Sequence, residues 1–236
     1  MSIFNYFDKC YIVNLSTRTD RRRDMDAMLS RFATTAEMRH IHYFNAIQPS
    51  DADGFPSAGV KGCFLSHLAI LKMAHELRLP NVLIMEDDLE LDSRMASPSS
   101  AITDGLRQQW DFIYFGHVLS SGVIASSHVS LEECVDPIKT THFYAISCRI
   151  LPRLIKFLEE LLSRPAGHPD GGPMHVDGAY STFRRLNPDV KTVVAIPSVG
   201  AQRSSRSDLS PGRFDHILVI RNSLEMFRRA RRAIGL

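Results

Sequence analysis

The chain has 236 residues, enough to bury a sizeable core and most simply one folded domain. A charged content of 23% and a mean hydropathy of -0.10 are those of a soluble globular protein, and a net charge of +2 gives no reason to expect a nucleic-acid partner. No stretch reaches the length of a transmembrane helix, and the opening MSIFNYFDKC lacks the basic start and long apolar core of a signal peptide. Cys10, Cys63, Cys134 and Cys148 are far apart and show no paired metal-type spacing, so reduced thiols in a cytoplasmic protein are expected.

CYIVNL, residues 10–15, reads as a first strand. The segment after it carries Met25, Met28, Leu29 and Phe32 at helical spacing, with Arg21, Arg22 and Arg23 crowded into the first turns. Cations near a helix N-terminus oppose the helix dipole, so they are not there to stabilise the helix. They form either a solvated face or, with Arg18, a hold on phosphate or nucleotide groups, since a planar guanidinium pairs with phosphate through two hydrogen bonds. HIHYFNA predicts a second strand, QPSDADGFPSAG a loop, and residues 61–77 a helix.

VLIMEDDLEL, residues 82–91, is the most informative segment. A near-continuous apolar run suits a strand covered on both faces, and it stops at Glu86, Asp87 and Asp88. Ligands of such α/β sheets bind beyond the carboxyl ends of the strands. The alternative is a solvated acidic turn. Three adjacent carboxylates repel, and a hard divalent cation such as magnesium or manganese relieves that repulsion while bridging to substrate phosphates.

Further along, DFIYFG and HFYAIS read as strands. LPRLIKFLEELL is a helix with Leu151, Leu154, Ile155, Leu158 and Leu162 on one face. SRPAGHPDGGP is a flexible connector, and KTVVAIP is the last clear strand. Strands alternating with helices predict an α/β layer fold. The end of the chain, 213–236, mixes Ile217, Leu218, Leu224, Phe227 and Ile234 with Arg221, Arg228, Arg229, Arg231 and Arg232. That is a basic amphipathic helix, suited to an anionic membrane surface or to packing on the domain. The expected organisation is a domain over 1–212 followed by that helix.

Seven segments together resemble glycosyltransferase family 25, the lipopolysaccharide and procollagen galactosyltransferase group: YIVNLSTRTDRRRDM, YFNAIQPSD, GVKGCFLSHLAILK, VLIMEDDLEL, HFYAISCRILPRLI, VDGAYS and QRSSRSDL. They occur in the family's order between about residues 10 and 209. The segment between Asp92 and Asp111 carries no such motif.

This resemblance implies a GT-A-type nucleotide-sugar-binding fold with a mixed, mainly parallel central sheet flanked by helices. It also implies transfer of a hexose, galactose first among them, with inversion from a nucleotide-sugar donor such as a UDP-sugar. The acceptor would be a saccharide such as lipopolysaccharide oligosaccharide, in some cases lipid-linked, which places the protein at the inner face of a membrane. Asp88 is expected to ligate manganese or magnesium with help from Glu86, the two sharing one face of a strand. Asn14, Arg18, Arg21, Ala46, Ser66, His67, Glu86 and Asp87 fall in the donor-side motifs. Asp177 is expected to be the base for the acceptor hydroxyl, with helix capping as its structural alternative and Asp87 as a second catalytic candidate. Gln202, Ser207 and Asp208 would close over donor or acceptor.

Two other classes compete. A nucleotidyltransferase-like phosphoryl enzyme would place a glycine-rich phosphate loop after the first strand, and NLSTRTDRR has none. A non-catalytic binding relative would tolerate loss of the acids, and all three are present.

Overall fold

The structure is a computed structural model, and it describes residues 3–96, 100–119 and 128–203. In chain order its elements are β1 (Cys10–Asn14), α1 (Thr19–Leu29), β2 (Ile41–Asn45), α2 (Ala58–Glu76), β3 (Asn81–Glu86), β4 (Leu89–Leu91), α3 (Ser100–Arg107), β5 (Phe112–Leu119), β6 (Ser130–Glu133), β7 (Ile138–Ser147), α4 (Leu151–Ser163), α5 (Val176–Leu186), β8 (Thr192–Ile196) and β9 (Gly200–Gln202). The strands form one sheet in the order β2-β1-β3-β7-β5-β8-β6, with β9 joining β4 to β5. β1 runs parallel to β2 and β3, and β5 parallel to β8. β7 lies antiparallel between β3 and β5, and β6 and β4 pair antiparallel with β8 and β9. This is the expected mixed, helix-flanked sheet.

Strand side chains alternate between the faces, so each central strand contributes to two cores. Tyr11, Val82, Ile84, Phe112, Tyr114, Tyr144 and Ile146 pack with α2, α4 and α5. Ile12, Leu83, Met85, Ile113, Phe115, Phe143 and Ala145 pack against Met25, Met28 and Leu29 of α1 and Ile102 and Leu106 of α3. Covering on both sides explains why Val82–Met85 is apolar at every position: all four side chains are fully buried.

Three expectations are corrected. Glu86 and Asp88 do not share one face of a strand: β3 ends at Glu86, the chain turns at Asp87 and Asp88, and β4 leaves to pair with β9. On α4 the buried stripe is Leu151, Leu154, Phe157, Leu158 and Leu161, whereas Leu162 is exposed and Ile155 only partly covered. Asp177 is not the cap of α5: that position is His175, which makes no side-chain capping bond, and Asp177 lies inside the first turn.

The helix before the acidic strand also accounts for its own motif. Ser57 caps α2 by accepting from the Val60 amide. The Ser66 hydroxyl donates to the Gly62 carbonyl (2.7 Å) and accepts from the Ile47 amide (2.8 Å), which ties the loop after β2 to the helix. That approach is so close that a Cβ at Gly62 would run into the Ile47 carbonyl oxygen. Glycine and serine at i and i+4 are therefore a packing requirement.

Among the described residues, no helix is long and apolar enough to cross a membrane. Residues 204–236, which include Ser207, Asp208 and the basic 213–236 segment, lie outside the described residues.

Candidate functional site

The carboxyl ends of β1 and β3 lie side by side, and the acidic turn closes over them. The Asp87 amide donates to the Val13 carbonyl (3.2 Å), and the Ala46 amide donates to the Asn14 carbonyl (2.9 Å). Asp87 points inward and is buried. Its carboxylate accepts from Asn14 Nδ2 (2.8 Å) and from Arg21 (2.7 Å). Asn14 Nδ2 also reaches the Arg18 carbonyl at 3.3 Å, so Asn14 and Arg21 fasten the start of α1 to the acidic turn. Arg18 itself pairs with Asp20 at the surface.

The two arginines thus sit in different settings. Arg21→Ala takes the paired cation from the buried Asp87 carboxylate and is expected to destabilise the protein by roughly 3–5 kcal/mol in urea unfolding. Arg18→Ala is expected to change stability by less than about 1 kcal/mol. Equal losses for the two would remove Arg21 from its anchoring role.

Asp88 is half-buried, not exposed as a strand end would be, and its Oδ1 is enclosed with no hydrogen-bond partner. Burial first, then the charge of Glu86, pushes its carboxyl up to about 7, with Asp87 adding to the rise and Arg21 and the Gln202 amide pulling the other way. This is a carboxylate short of positive charge.

Glu86 divides its two oxygens between different neighbours. Oε1 accepts from the Thr141 hydroxyl (2.9 Å) and lies 3.5 Å from His67 Nε2; Oε2 accepts from Gln202 Nε2 (3.3 Å). Burial works to raise the Glu86 carboxyl, but His67, His142 and Thr141 together outweigh it and hold the group below its ordinary value. Arg203 clasps the turn from outside: its amide donates to the Asp88 carbonyl (2.7 Å), and its guanidinium reaches the Asp87 carbonyl (3.1 Å) and Asp24 (3.2 Å).

On the α2 side, His67 is fully buried. Its ring stacks on Tyr144, its Nδ1 is 2.7 Å from the Tyr144 hydroxyl, and that hydroxyl is 3.0 Å from Tyr180. Cys63, one turn earlier, is pushed well above the usual thiol range by burial and then by the charges of Glu86, Asp177 and Asp88. Asp177 reaches the same region from α5. Its Oδ2 accepts from the Thr140 amide (2.9 Å) and its Oδ1 from the Gly178 amide (2.7 Å). Thr140 has φ of 74°, a left-handed conformation that is rare for a β-branched residue, and its hydroxyl is buried without a partner.

Glu86, Asp88, His67, Asp177 and Gln202 are thus brought into one neighbourhood. Asn14, Arg21 and Asp87 form its floor. Ser66 braces the helix behind it, and Arg18 lies at the surface beside it. Sequence reasoning missed Cys63, Thr140, Thr141, His142 and Tyr144. The polar KTTH immediately before an apolar FYAIS was a usable signal, because an antiparallel neighbour of β3 brings its leading residues to the end where the acids lie.

Residues 7–142 match the sequence model of the family described as Glycosyltransferase family 25 (LPS biosynthesis protein). Procollagen galactosyltransferase 2 of Homo sapiens is 25% identical over 131 residues, 47% of this chain and 21% of that protein. A Glycosyltransferase 25 family member of Anopheles gambiae is 30% identical over 127 residues, 45% and 21% of the two chains. A relative described as Inactive glycosyltransferase 25 family member 3, also of Homo sapiens, is 26% identical over 129 residues, 47% and 22%. The aligned part is therefore about a fifth of the length of these relatives. The crystal structure of a glycosyltransferase involved in glycosylation of the major capsid of PBCV-1 superposes with a TM-score of 0.49 at 11% identity, over 80% of this chain and 81% of the other, a likeness too distant to bear on function. With more than half of its residues matched by the family's sequence model, and the Glu86–Asp88 turn inside the match, this chain belongs to glycosyltransferase family 25.

Proposed function

We propose that the protein is an inverting glycosyltransferase that moves galactose from UDP-galactose to a saccharide acceptor of the lipopolysaccharide type. The observation that carries this reading is Asp88: an enclosed carboxylate oxygen with no partner, at the carboxyl end of the central strands, beside a second carboxylate. The sugar and acceptor follow the family's description as lipopolysaccharide biosynthesis proteins and the human relative's as a galactosyltransferase.

Glu86 and Asp88 fit a hard divalent cation and would hold manganese or magnesium, whose chemistry there is to neutralise charge growing on the leaving diphosphate. Arg18, on the rim, supplies a guanidinium to the phosphates or nucleoside, and Asn14 and Ala46 define the backbone edge against which the nucleotide lies. Gln202 bridges from β9 to the acids and orients Glu86. Asp177 takes the proton of the acceptor hydroxyl as that oxygen attacks the anomeric carbon from the face opposite the diphosphate, which gives inversion. Acceptors on a lipid carrier would bring the protein to the cytoplasmic membrane face.

The test is a thermal-shift screen of nucleoside diphosphate sugars with and without manganese. UDP-galactose is expected to raise Tm only when the ion is present, and chelator is expected to abolish transfer. Binding of every donor unchanged by chelator would overturn the assignment of the acidic turn. A second reading, a sugar-nucleotide-binding relative without turnover, draws on the inactive relative of similar identity over a similar length. It is selected if UDP-galactose binds with manganese but neither transfer nor slow donor hydrolysis is detected.

A further inference from the structure

On the side of Glu86 away from Gln202, one ligand atom each from Cys63, His67 and Glu86 lies within 4.8 Å of the other two. Cys63 and His67 stand at i and i+4 on α2 and so share a face one turn apart, while Glu86 ends β3 directly opposite. From this geometry we infer a binding site for a zinc-class transition metal held by a thiolate, an imidazole and a carboxylate, distinct in chemistry from the hard-cation position at Asp88.

Three observations support it. His67 is completely buried, yet its Nε2 has no hydrogen-bond partner, and Glu86 Oε1, which faces it, is 3.5 Å away and already bonded to Thr141. A buried polar atom left unsatisfied is costly, and a lone pair given to a metal satisfies it. The other ring nitrogen is committed: Nδ1–H can donate to the Tyr144 hydroxyl, which in turn can donate to Tyr180. That arrangement leaves Nε2 as the ligating atom and fixes the ring, as outer partners of metal-bound histidines do.

The third observation is the donor set. Sulfur, nitrogen and one carboxylate select zinc or cobalt over magnesium, and three protein ligands leave one tetrahedral position open. Bond lengths to zinc of about 2.0–2.3 Å place the ligand atoms roughly 3.3–3.8 Å apart; His67 Nε2 and Glu86 Oε1, at 3.5 Å, already stand at that spacing, and any pair at the 4.8 Å limit closes by about an ångström on binding. The balance of the step is simple: the Cys63 thiol gives its proton to solvent as the metal–sulfur bond forms, His67 binds as the neutral ring, and Glu86 binds ionised.

The experiment uses the full chain with zinc, cobalt and magnesium alone, without nucleotide, so that its outcome is independent of the donor reading. After removal of bound metal, cobalt is expected to bind at about one ion per chain and to give the near-ultraviolet absorption of a cobalt–thiolate bond. Cys63→Ser is expected to abolish that band and to weaken zinc by more than about 100-fold, beyond the roughly 10–100-fold typical for loss of an outer partner. In the unaltered protein, zinc is expected to protect Cys63 from iodoacetamide, read by peptide mass mapping, while magnesium does not. No cobalt band and no zinc protection in the unaltered protein, or a band that survives in folded Cys63→Ser, would overturn the site and leave His67 and Glu86 as a buried pair.

Discussion

Asp88→Asn is expected to abolish sugar transfer and at the same time to make the protein more stable at neutral pH. The two effects have one origin. The Asp88 carboxyl titrates near 7 in the fold, chiefly because burial and the Glu86 charge disfavour its ionised form, against an ordinary value of 3.8. The folded state therefore holds this proton to higher pH than the unfolded chain does. The resulting penalty is absent below about pH 4, grows as pH rises, and is complete above about pH 7. An asparagine carries no such penalty, so its advantage in Tm, several degrees at pH 8, should fade towards pH 4. Manganese should raise the Tm of the unaltered protein at pH 8 and leave the variant's unchanged. A variant that keeps transferring sugar, or that is less stable than the parent at pH 8, would remove Asp88 from the cation's coordination and its charge from the account above.

The second large effect is expected at Asp177. Asp177→Asn should lower transfer by about 10²–10⁴, the usual contribution of a positioned base, with nucleotide-sugar affinity retained. The structure adds a control that sequence could not suggest. The same carboxylate holds the Thr140 amide, and Thr140 sits at φ of 74°, a conformation glycine adopts without strain. Thr140→Gly in the Asp177→Asn background relieves the backbone and cannot replace a lost base. No recovery of the rate is therefore expected. Recovery to within about tenfold of the parent would make Asp177 a residue that positions β7, and the proton would have to leave by another group.

Where burial alone decided the outcome, the sequence was readable. Val82–Met85 announced a strand covered on both faces, and the strands at Cys10 and Ile41, the long helix before the acids and the leucine-rich α4 all form. What could not be read was pairing between distant segments. Nothing local marks β7 as antiparallel between β3 and β5, yet that placement brings Thr140, Thr141 and His142 to Glu86. The same holds for β4: the acids mark the end of β3, but nothing local shows that Leu89–Leu91 will pair with β9, some 110 residues later. On α4, Leu161 and Leu162 are chemically equivalent, and only the position of α2 and α5 decides which is covered. The donor-side reading rested on the family motifs, and the structure divides those residues between the floor and the rim of the site.

The clasp made by Arg203 fixes how the end of this chain can be dissected. Its amide and guanidinium hold both carbonyls of the acidic turn, and Gln202 beside it holds Glu86. Shortening the chain to ask what the basic 213–236 segment does is informative only if the cut falls after Arg203. A cut at residue 200 would strip β9 from β4 and release the turn itself, and lost activity would then report on the acids while being credited to the tail.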